Sequence, residues 1–242
     1  MSLKYAVIDR WSQGQSVFHR LDARMKMTAL LVYLLSIATL KPVRAPEMIA
    51  FGVLILIGMT LSALPIGGFL LRGAVVLPFT GTFAAISAFG GQTDFAVGLV
   101  AKSYLSALGV LLLAATTPMP ALLHAAQWLK VPRVLLLVIQ FLYRYLFILV
   151  EQAGRMRQAA LCRGSALSKR SRGERMSSAA GMLSVLFARS YERAEGIQRA
   201  MLSRGFHGQI PLLTNPAARL KDWAFALCAV AATLAIRLGG RL

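Results

Sequence analysis

Charged residues are absent over long stretches of this chain. None interrupts Met48–Leu71 or Gly73–Thr93, and none interrupts Ser103–Leu129 if His124 is counted as neutral. These runs are 24, 21 and 27 residues long. A helix crosses a hydrocarbon core of about 30 Å with roughly 20 residues. In lipid the backbone must satisfy its own hydrogen bonds, so such runs predict helices. A first membrane helix is expected over 27–40 (MTALLVYLLSIATL), stopped by KPVRAPE, where Pro42 and Pro46 forbid a continuous helix. A second is expected over 48–64, ended by PIGG. A third covers 69–89, where Gly73, Pro78, Gly81, Gly90 and Gly91 predict a kinked, short or partly unwound helix. A fourth covers 96–116, closed by TTPMP, and a short helix follows over 120–130. Residues 131–151 form a fifth apolar stretch, with Pro132 near its start. A last apolar helix is expected over 223–236.

The texture changes between these final two stretches. Residues 151–220 hold twelve Lys or Arg against four acids, Glu151, Glu174, Glu192 and Glu195, a net +8. This reads as a solvent-facing helical domain, and the positive-inside rule places it in the cytoplasm. The predicted fold class is all-α: a polytopic membrane helix bundle with an inserted cytoplasmic helical domain. Its parts are a basic amphipathic segment (1–26), membrane helices (27–150), the inserted domain (151–220) and a C-terminal membrane helix (221–242). A basic N-terminus should also be cytoplasmic, which requires an even number of crossings before residue 151. Five apolar stretches precede it. Either the glycine- and proline-rich 69–91 region falls short of a full crossing, which is the preferred reading, or the N-terminus lies outside.

Composition agrees with a membrane protein. Of 242 residues 57% are hydrophobic and 15% charged, against about 45–50% and about 25% in soluble domains. Mean hydropathy is +0.63. The net charge of +18 is ordinary where Lys and Arg hold loops in the cytoplasm, and nucleic acid is not the expected partner. Cys162 and Cys228 imply no disulfide framework. The first residues, MSLKYAVIDRWSQGQ, lack the apolar run of a cleaved leader.

Within the charged segment one pattern is written twice. AALCRG (159–164) and AMLSRG (200–205) agree at four of six positions, 41 residues apart. A single Arg-Gly pair is explained by an arginine near the negative end of a helix dipole, followed by a glycine C-cap. The repetition adds a small residue before each arginine, Cys162 and Ser203. A small-Arg-Gly end lets another backbone approach while the guanidinium reaches outward, and its planar fork suits a buried carboxylate. Two such ends make a two-point dock.

This pattern resembles the T component of energy-coupling factor transporters, in the cobalt/nickel CbiQ branch, a family marked by two Ala-Arg-Gly motifs in cytoplasmic coupling helices. The matching positions are Cys162-Arg163-Gly164 and Ser203-Arg204-Gly205, with Cys and Ser in place of Ala. LDARMKMTALL (21–31), FLYRYLF (141–147) and YERAEGIQRAMLSRGF (191–206) are similar to the family as well. The resemblance spans most of the chain. It implies that 151–220 are coupling helices in a complex of the cell inner membrane. Arg163 and Arg204 would dock in grooves of two cytoplasmic ABC-type ATPase subunits that bind the ATP. A separate membrane subunit would capture the cargo: cobalt ions first, with nickel or a vitamin as alternatives.

No other motif competes. There is no G-x-x-x-x-G-K-[ST] for ATP, and His19, His124 and His207 are far apart, with no metal-ligand spacing. The chain is therefore expected to carry no cofactor and no metal of its own. A membrane enzyme acting on lipid phosphates would need clustered acids or a His/Ser pair. The nine acids are scattered, so a non-enzyme is expected. Arg144 pairs with an acid, stacks on Tyr143 or Tyr145, or snorkels to the surface. Lys102 and Asp94 mark a membrane edge, and small residues in 98–126 and 224–235 allow close helix packing. The segment 163–181, with Lys169, Arg170, Arg172 and Arg175, reads as a solvated linker that also suits anionic lipid heads. Over 176–203 the spacing of Leu183, Leu186, Phe187, Tyr191 and Ala194 predicts the face that meets the other coupling helix, with Arg189, Arg193 and Arg199 opposite.

Overall fold

The structure, a computed structural model, describes residues 16, 18–19, 21–40, 45–62, 66–165, 172–206 and 220–239. The described residues are helical throughout, without strands. The helices are α1 (Ala23–Ala38), α2 (Ala45–Leu61), α3 (Ile66–Gly73), α4 (Leu77–Phe89), α5 (Thr93–Thr116), α6 (Met119–Trp128), α7 (Arg133–Ala160), α8 (Arg172–Ser203) and α9 (Leu220–Gly239). Two compact units emerge. One holds the described residues of Lys130–Thr214, and the other those of Ala6–Leu129 and Asn215–Leu242.

The second unit is the apolar bundle. α5 is its central helix and touches α1, α2, α3 and α4, while α9 lies on α1 and α2. α1 and α5 run antiparallel in one register, readable at three levels. At one end the ammonium of Lys26, near the start of α1, donates to the carbonyl of Thr116, the last residue of α5, at 3.1 Å. In the middle, a Cβ added to Gly109 would lie 3.0 Å from Cε1 of Tyr33. At the other end Lys102 of α5 donates to the carbonyl of Leu40, two residues past α1. Each lysine therefore meets free carbonyls at the negative end of the opposite helix.

The core between these ends is built from Tyr33, Ile37, Phe51, Ile55, Met59, Phe69, Leu108 and Leu112. Tyr33 meets Phe51 edge-on at 5.6 Å and donates its hydroxyl to the Leu105 carbonyl at 3.3 Å. Tyr104 does the same for Leu70 at 3.3 Å.

At the Lys26 end a polar knot draws in α9. Asp22 caps α1, its carboxylate accepting the Arg24 N–H at 3.0 Å. Its own backbone N–H donates to Asp222 of α9 at 3.2 Å. Lys26 is 3% exposed. Its remaining protons face Thr117 Oγ1 at 3.4 Å and the His19 carbonyl at 3.5 Å, and the Phe18 ring lies 5.5 Å away. His124 of α6 titrates below its ordinary value, through burial first and the Arg24 charge second. The start of α1, the end of α5 and the start of α9 thus share one end of the bundle.

The 69–91 region is neither short nor unwound. Gly67–Phe89 is a 23-residue helical run, long and apolar enough to cross a membrane. The expected irregularity is one 3-10 turn, Ala74–Val76, between α3 and α4. Pro78 sits in the first turn of α4, where its missing N–H is harmless. Of the two readings of the crossing number, the preferred one loses its footing here. Thr93–Thr116 is also long and apolar enough to cross.

The α1–α5 interface allows little growth in the side chains that form it. Substituting Gly109→Val forces branches into Tyr33 and into Leu30, whose Cδ1 already lies 3.1 Å from an added Cβ. The expected loss is about 1–3 kcal/mol of stability, as for other overpacked cores, seen as a lowered Tm in detergent. Gly67→Ala has no atom within 4 Å of its new Cβ and is expected to leave Tm unlowered.

Candidate functional site

The unit containing both Arg-Gly pairs begins at Lys130, so residues 130–150 belong with the charged helices that follow them. α7 carries apolar residues into its first half and charged ones into its second. It continues without a break to Ala160, then passes into a π-helical turn, Leu161–Ser165. Cys162 and Arg163 are exposed within that turn, and Gly164 lies in it. π turns are rare and recur at functional positions.

The second pair ends its helix differently. The Gly205 N–H donates to the Leu202 carbonyl at 3.0 Å, and the Phe206 N–H to the Met201 carbonyl at 3.1 Å. Gly205 has φ +74°. This is a Schellman cap, in which a left-handed residue lets the last carbonyls find partners, and only glycine enters that conformation without strain. Ser203 donates its hydroxyl back to Arg199 at 2.9 Å, so Arg204 is left exposed at the tip. Phe206, which completes the cap, was not singled out from the sequence; an aromatic residue directly after Arg-Gly was the available signal.

α7 and α8 meet around a cavity of about 430 Å³, whose lining includes Val138, Phe141 and Leu149 on α7 and Ser190, Ala194 and Met201 on α8. The stripe that α8 presents differs from the expected face. Leu183, Phe187 and Tyr191 stay 65%, 72% and 60% exposed, while Ser190, Arg193 and Ile197 line the cavity. The contact uses the C-terminal half of α8, whose inward stripe is rotated from the apolar ridge of its first half. Arg144 is exposed. The rings beside it pair with rings one turn away instead, Tyr143 with Phe147 and Tyr145 with Phe141. The basic linker 166–171 lies outside the described residues.

The spacing of the two arginines follows from this contact. From Ser165 to Arg172 the chain reaches at most roughly 25 Å, so α8 must run back along α7. Arg163 then lies about 30 Å past the middle of the contact, and Arg204 about 13 Å past it in the opposite direction. The structure does not bring the two ends together. It holds them on the order of 40 Å apart on one pair of helices.

This arrangement also bears on where the pair resides. The first half of α7 is mostly apolar, broken by Gln140 and Arg144, and Arg133–Arg163 is long and apolar enough to cross a membrane. Alongside it, however, α8 carries Glu192, Arg193, Glu195 and Arg199. Each charge costs about 3 kcal/mol at the middle of a bilayer. The Arg199–Glu195 pair at 3.0 Å is exposed and offsets little of this. Among the described residues no three His, Cys, Asp or Glu side chains gather as a metal site would require.

Comparison with known proteins was informative. A family model described as cobalt transport protein, CbiQ, matches residues 14–214. The energy-coupling factor transporter transmembrane protein EcfT of Bacillus selenitireducens is 27% identical over 228 aligned positions, covering 84% of each chain. The cobalt transport protein CbiQ of Rhodobacter capsulatus is 31% identical over 158 positions, covering 65% of this chain and 63% of that one. An uncharacterised protein of Methanocaldococcus jannaschii is 24% identical, covering 96% of this chain and 86% of its own.

The Schellman cap predicts a local consequence. Gly205→Ala places a Cβ in the left-handed region at about 1–2 kcal/mol. Amides of 202–206 are expected to exchange hydrogen at least about fivefold faster, while Gly196→Ala, with open space around it, leaves their exchange unchanged.

Proposed function

The chain belongs to the CbiQ family, described as cobalt transport protein, and from that membership we propose that it is the coupling subunit of an ATP-driven cobalt importer. It is a membrane-embedded transporter component. Its relatives include proteins named as transmembrane proteins of energy-coupling factor transporters. In the proposed complex, Arg163 and Arg204 dock into two cytoplasmic ATPase subunits, which bind the ATP. A third, membrane-embedded subunit captures the cargo. The observation that carries this reading is the pair of exposed arginine ends held roughly 40 Å apart. One groove cannot receive both ends, whereas two side-by-side subunits can. Closing of the ATPases around ATP would then move both ends together, and the α7–α8 pair would pass that motion to its neighbours as a rigid body. Cobalt as cargo is supported by the family description and by the Rhodobacter relative's name.

The proposed topology has α1, α2, α3–α4 and α5 as four crossings from a cytoplasmic N-terminus. The α7–α8 pair stays on the cytoplasmic side and α9 makes a fifth crossing. The shared end of α1, α5 and α9 supports this, because the chain leaves that end after Thr116 and returns to it at Leu220. It also removes the parity conflict: the stretch that does not cross is 131–151, where the charges of α8 stand alongside.

Two measurements test these proposals. Charge reversal of one partner in a close ionic contact typically costs 2 kcal/mol or more. Arg163→Glu and Arg204→Glu are each expected to weaken retention of the ATPases on co-purification by at least about tenfold. Together they should abolish ATP-driven uptake while membrane insertion survives. Undiminished ATPase binding by the double variant would remove the arginines as the dock. For topology, with Cys162 and Cys228 replaced by Ser, a membrane-impermeant maleimide applied outside should label Gln92→Cys. It should reach Gln152→Cys only after permeabilisation. External labelling of position 152 would overturn the four-crossing arrangement.

A further inference from the structure

The α7–α8 pair carries a second concavity, beside its contact rather than within it. This is an open groove of about 670 Å³, with Gln152 of α7 on one side and Arg189, Arg193, Gly196 and Ala200 of α8 on the other. Arg193 and Ile197 also line the cavity between the two helices, so the groove floor is backed by that contact. The floor is low because its middle is built from the smallest residues. A Cβ added to Gly196 meets nothing within 4 Å, and Ala200 is exposed. Another backbone can approach α8 closely there.

The groove faces away from the apolar ridge of α8. Phe187 and Tyr191 precede Arg189 and Arg193 by two positions each, about 160° around a helix. Both rings are exposed, so α8 has an apolar side and a polar side, and the groove lies on the polar one. Its charges select the occupant. The ion pairs among the described residues are Glu151–Arg155 and Glu195–Arg199, and neither uses Arg189 or Arg193. Glu192 stands between them in the lining. A surface that is negative throughout, such as an anionic membrane or a nucleic acid, is repelled by that carboxylate. A folded protein can set a carboxylate opposite each arginine and a donor opposite Glu192.

The groove is also continuous with one of the two arginine ends. Arg193, Gly196, Ala200 and Arg204 follow at i, i+3, i+7 and i+11, one stripe of a helix. Arg204 stands one turn, about 5 Å, beyond Ala200, and about 16 Å from Arg193. A body that takes up Arg204 from this side must lie over Ala200 and Gly196. Gln152, by contrast, is a full 11 residues short of Arg163, about 16 Å along α7.

We infer that this groove seats the ATPase subunit that receives Arg204, through an acidic ridge of that subunit with carboxylates opposite Arg189 and Arg193. The inference rests on the function proposed above and deepens it. The attachment at Arg204 becomes a seat on the order of 20 Å long instead of a single side chain. Arg189 and Arg193 are positioning residues in it: they set the angle at which that ATPase meets α8.

Photocrosslinking in the complex purified with its ATPases tests this. A photoreactive benzoylphenylalanine at Gln152 probes the end of the groove far from Arg204. The expected product joins this chain to an ATPase subunit, is lost with Arg204→Glu and is kept with Arg163→Glu. The same probe at Leu183, on the apolar side, should give no such product. Arg189→Glu with Arg193→Glu should weaken ATPase retention at least about tenfold, with the Tm of the chain unchanged because both side chains are exposed. Lysine at both positions should recover most of that loss. Ala200→Trp raises the groove floor without changing its charge; it should weaken retention as well, and serves in place of the charge reversal should that variant not fold. Retention unchanged in both the reversal and the Ala200→Trp variants overturns the proposal. So does a probe at position 152 that reaches only lipid, only the membrane-embedded subunit or nothing. If Arg163→Glu with Arg204→Glu releases the ATPases while the groove variants keep them, the seat alone fails. If the wild-type chain retains no ATPase, the proposed function fails and the seat with it.

Discussion

Two lysines close the ends of the antiparallel α1–α5 pair, and the bundle is assembled around that pair. Lys26 meets the last carbonyl of α5, and Lys102 meets the carbonyl just past α1. In lipid there is no water to satisfy the carbonyls that every helix leaves free at its C-terminus. An ammonium reaching across from the neighbouring helix supplies both the hydrogen bond and a charge of the right sign for the dipole. Because the partner lies at a fixed height, the two contacts also set the register. Tyr33 is thereby brought opposite Gly109, where an added Cβ would lie 3.0 Å from its ring. α2, α3 and α4 then pack on α5, and α9 is fixed to the same end by the backbone contact between Asp22 and Asp222.

The cost of charge in a bilayer divides the chain more sharply than its hydropathy does. By apolar content alone, 131–151 is as good a membrane helix as any other stretch. In the proposed topology it stays out of the bilayer because of its neighbour, since α8 brings Arg193 into its contact with α7 and carries Glu192, Glu195 and Arg199 nearby in sequence. Val134, Leu142, Phe187 and Tyr191 remain exposed on this pair. A pair of helices that is too charged to enter lipid and too apolar to face water is suited to lie between other subunits. That is the position a coupling element must occupy.

Much of the bundle was legible because membrane helices carry their own boundaries. The Gly90–Gly91 pair stops a helix and Pro46 lies in the first turn of one, both for local reasons, and the expected spans fall within a few residues of α1, α2, the Gly67–Phe89 run and α5. The repeated Arg-Gly ends were legible for the same reason, since a helix end is a local event. The register of α1 on α5 was not, because Lys26 and Lys102 look like ordinary edge lysines until Thr116 and Leu40 are placed opposite them. The inward stripe of α8 was misjudged because the largest side chains were taken to be the buried ones. In the structure Phe187 and Tyr191 are exposed, and Ser190, Arg193 and Ile197 join the expected Ala194 in lining the contact, since small side chains admit the aromatic-rich α7 more closely.

The two arginine ends share letters but not backbone. Arg204 follows a helix that stops at a fully bonded Schellman cap, so its position is set to within the play of one side chain. Arg163 sits in a π turn, in which one extra residue per turn shifts the direction of every side chain relative to an α-helix. A π turn can return to α geometry by moving its hydrogen bonds one residue along the chain, and in doing so it would rotate Arg163 about the axis of α7. A Schellman cap has no such alternative while Gly205 remains left-handed. A rigid helix pair with one fixed end and one adjustable end can stay attached to two bodies that approach and separate, because the adjustable end takes up the change in angle. Two fixed ends would have to bend the helices or let go. In the proposed complex, the difference between the Cys162-Arg163-Gly164 and Ser203-Arg204-Gly205 backbones would let one end take up the change in angle while the other stays fixed.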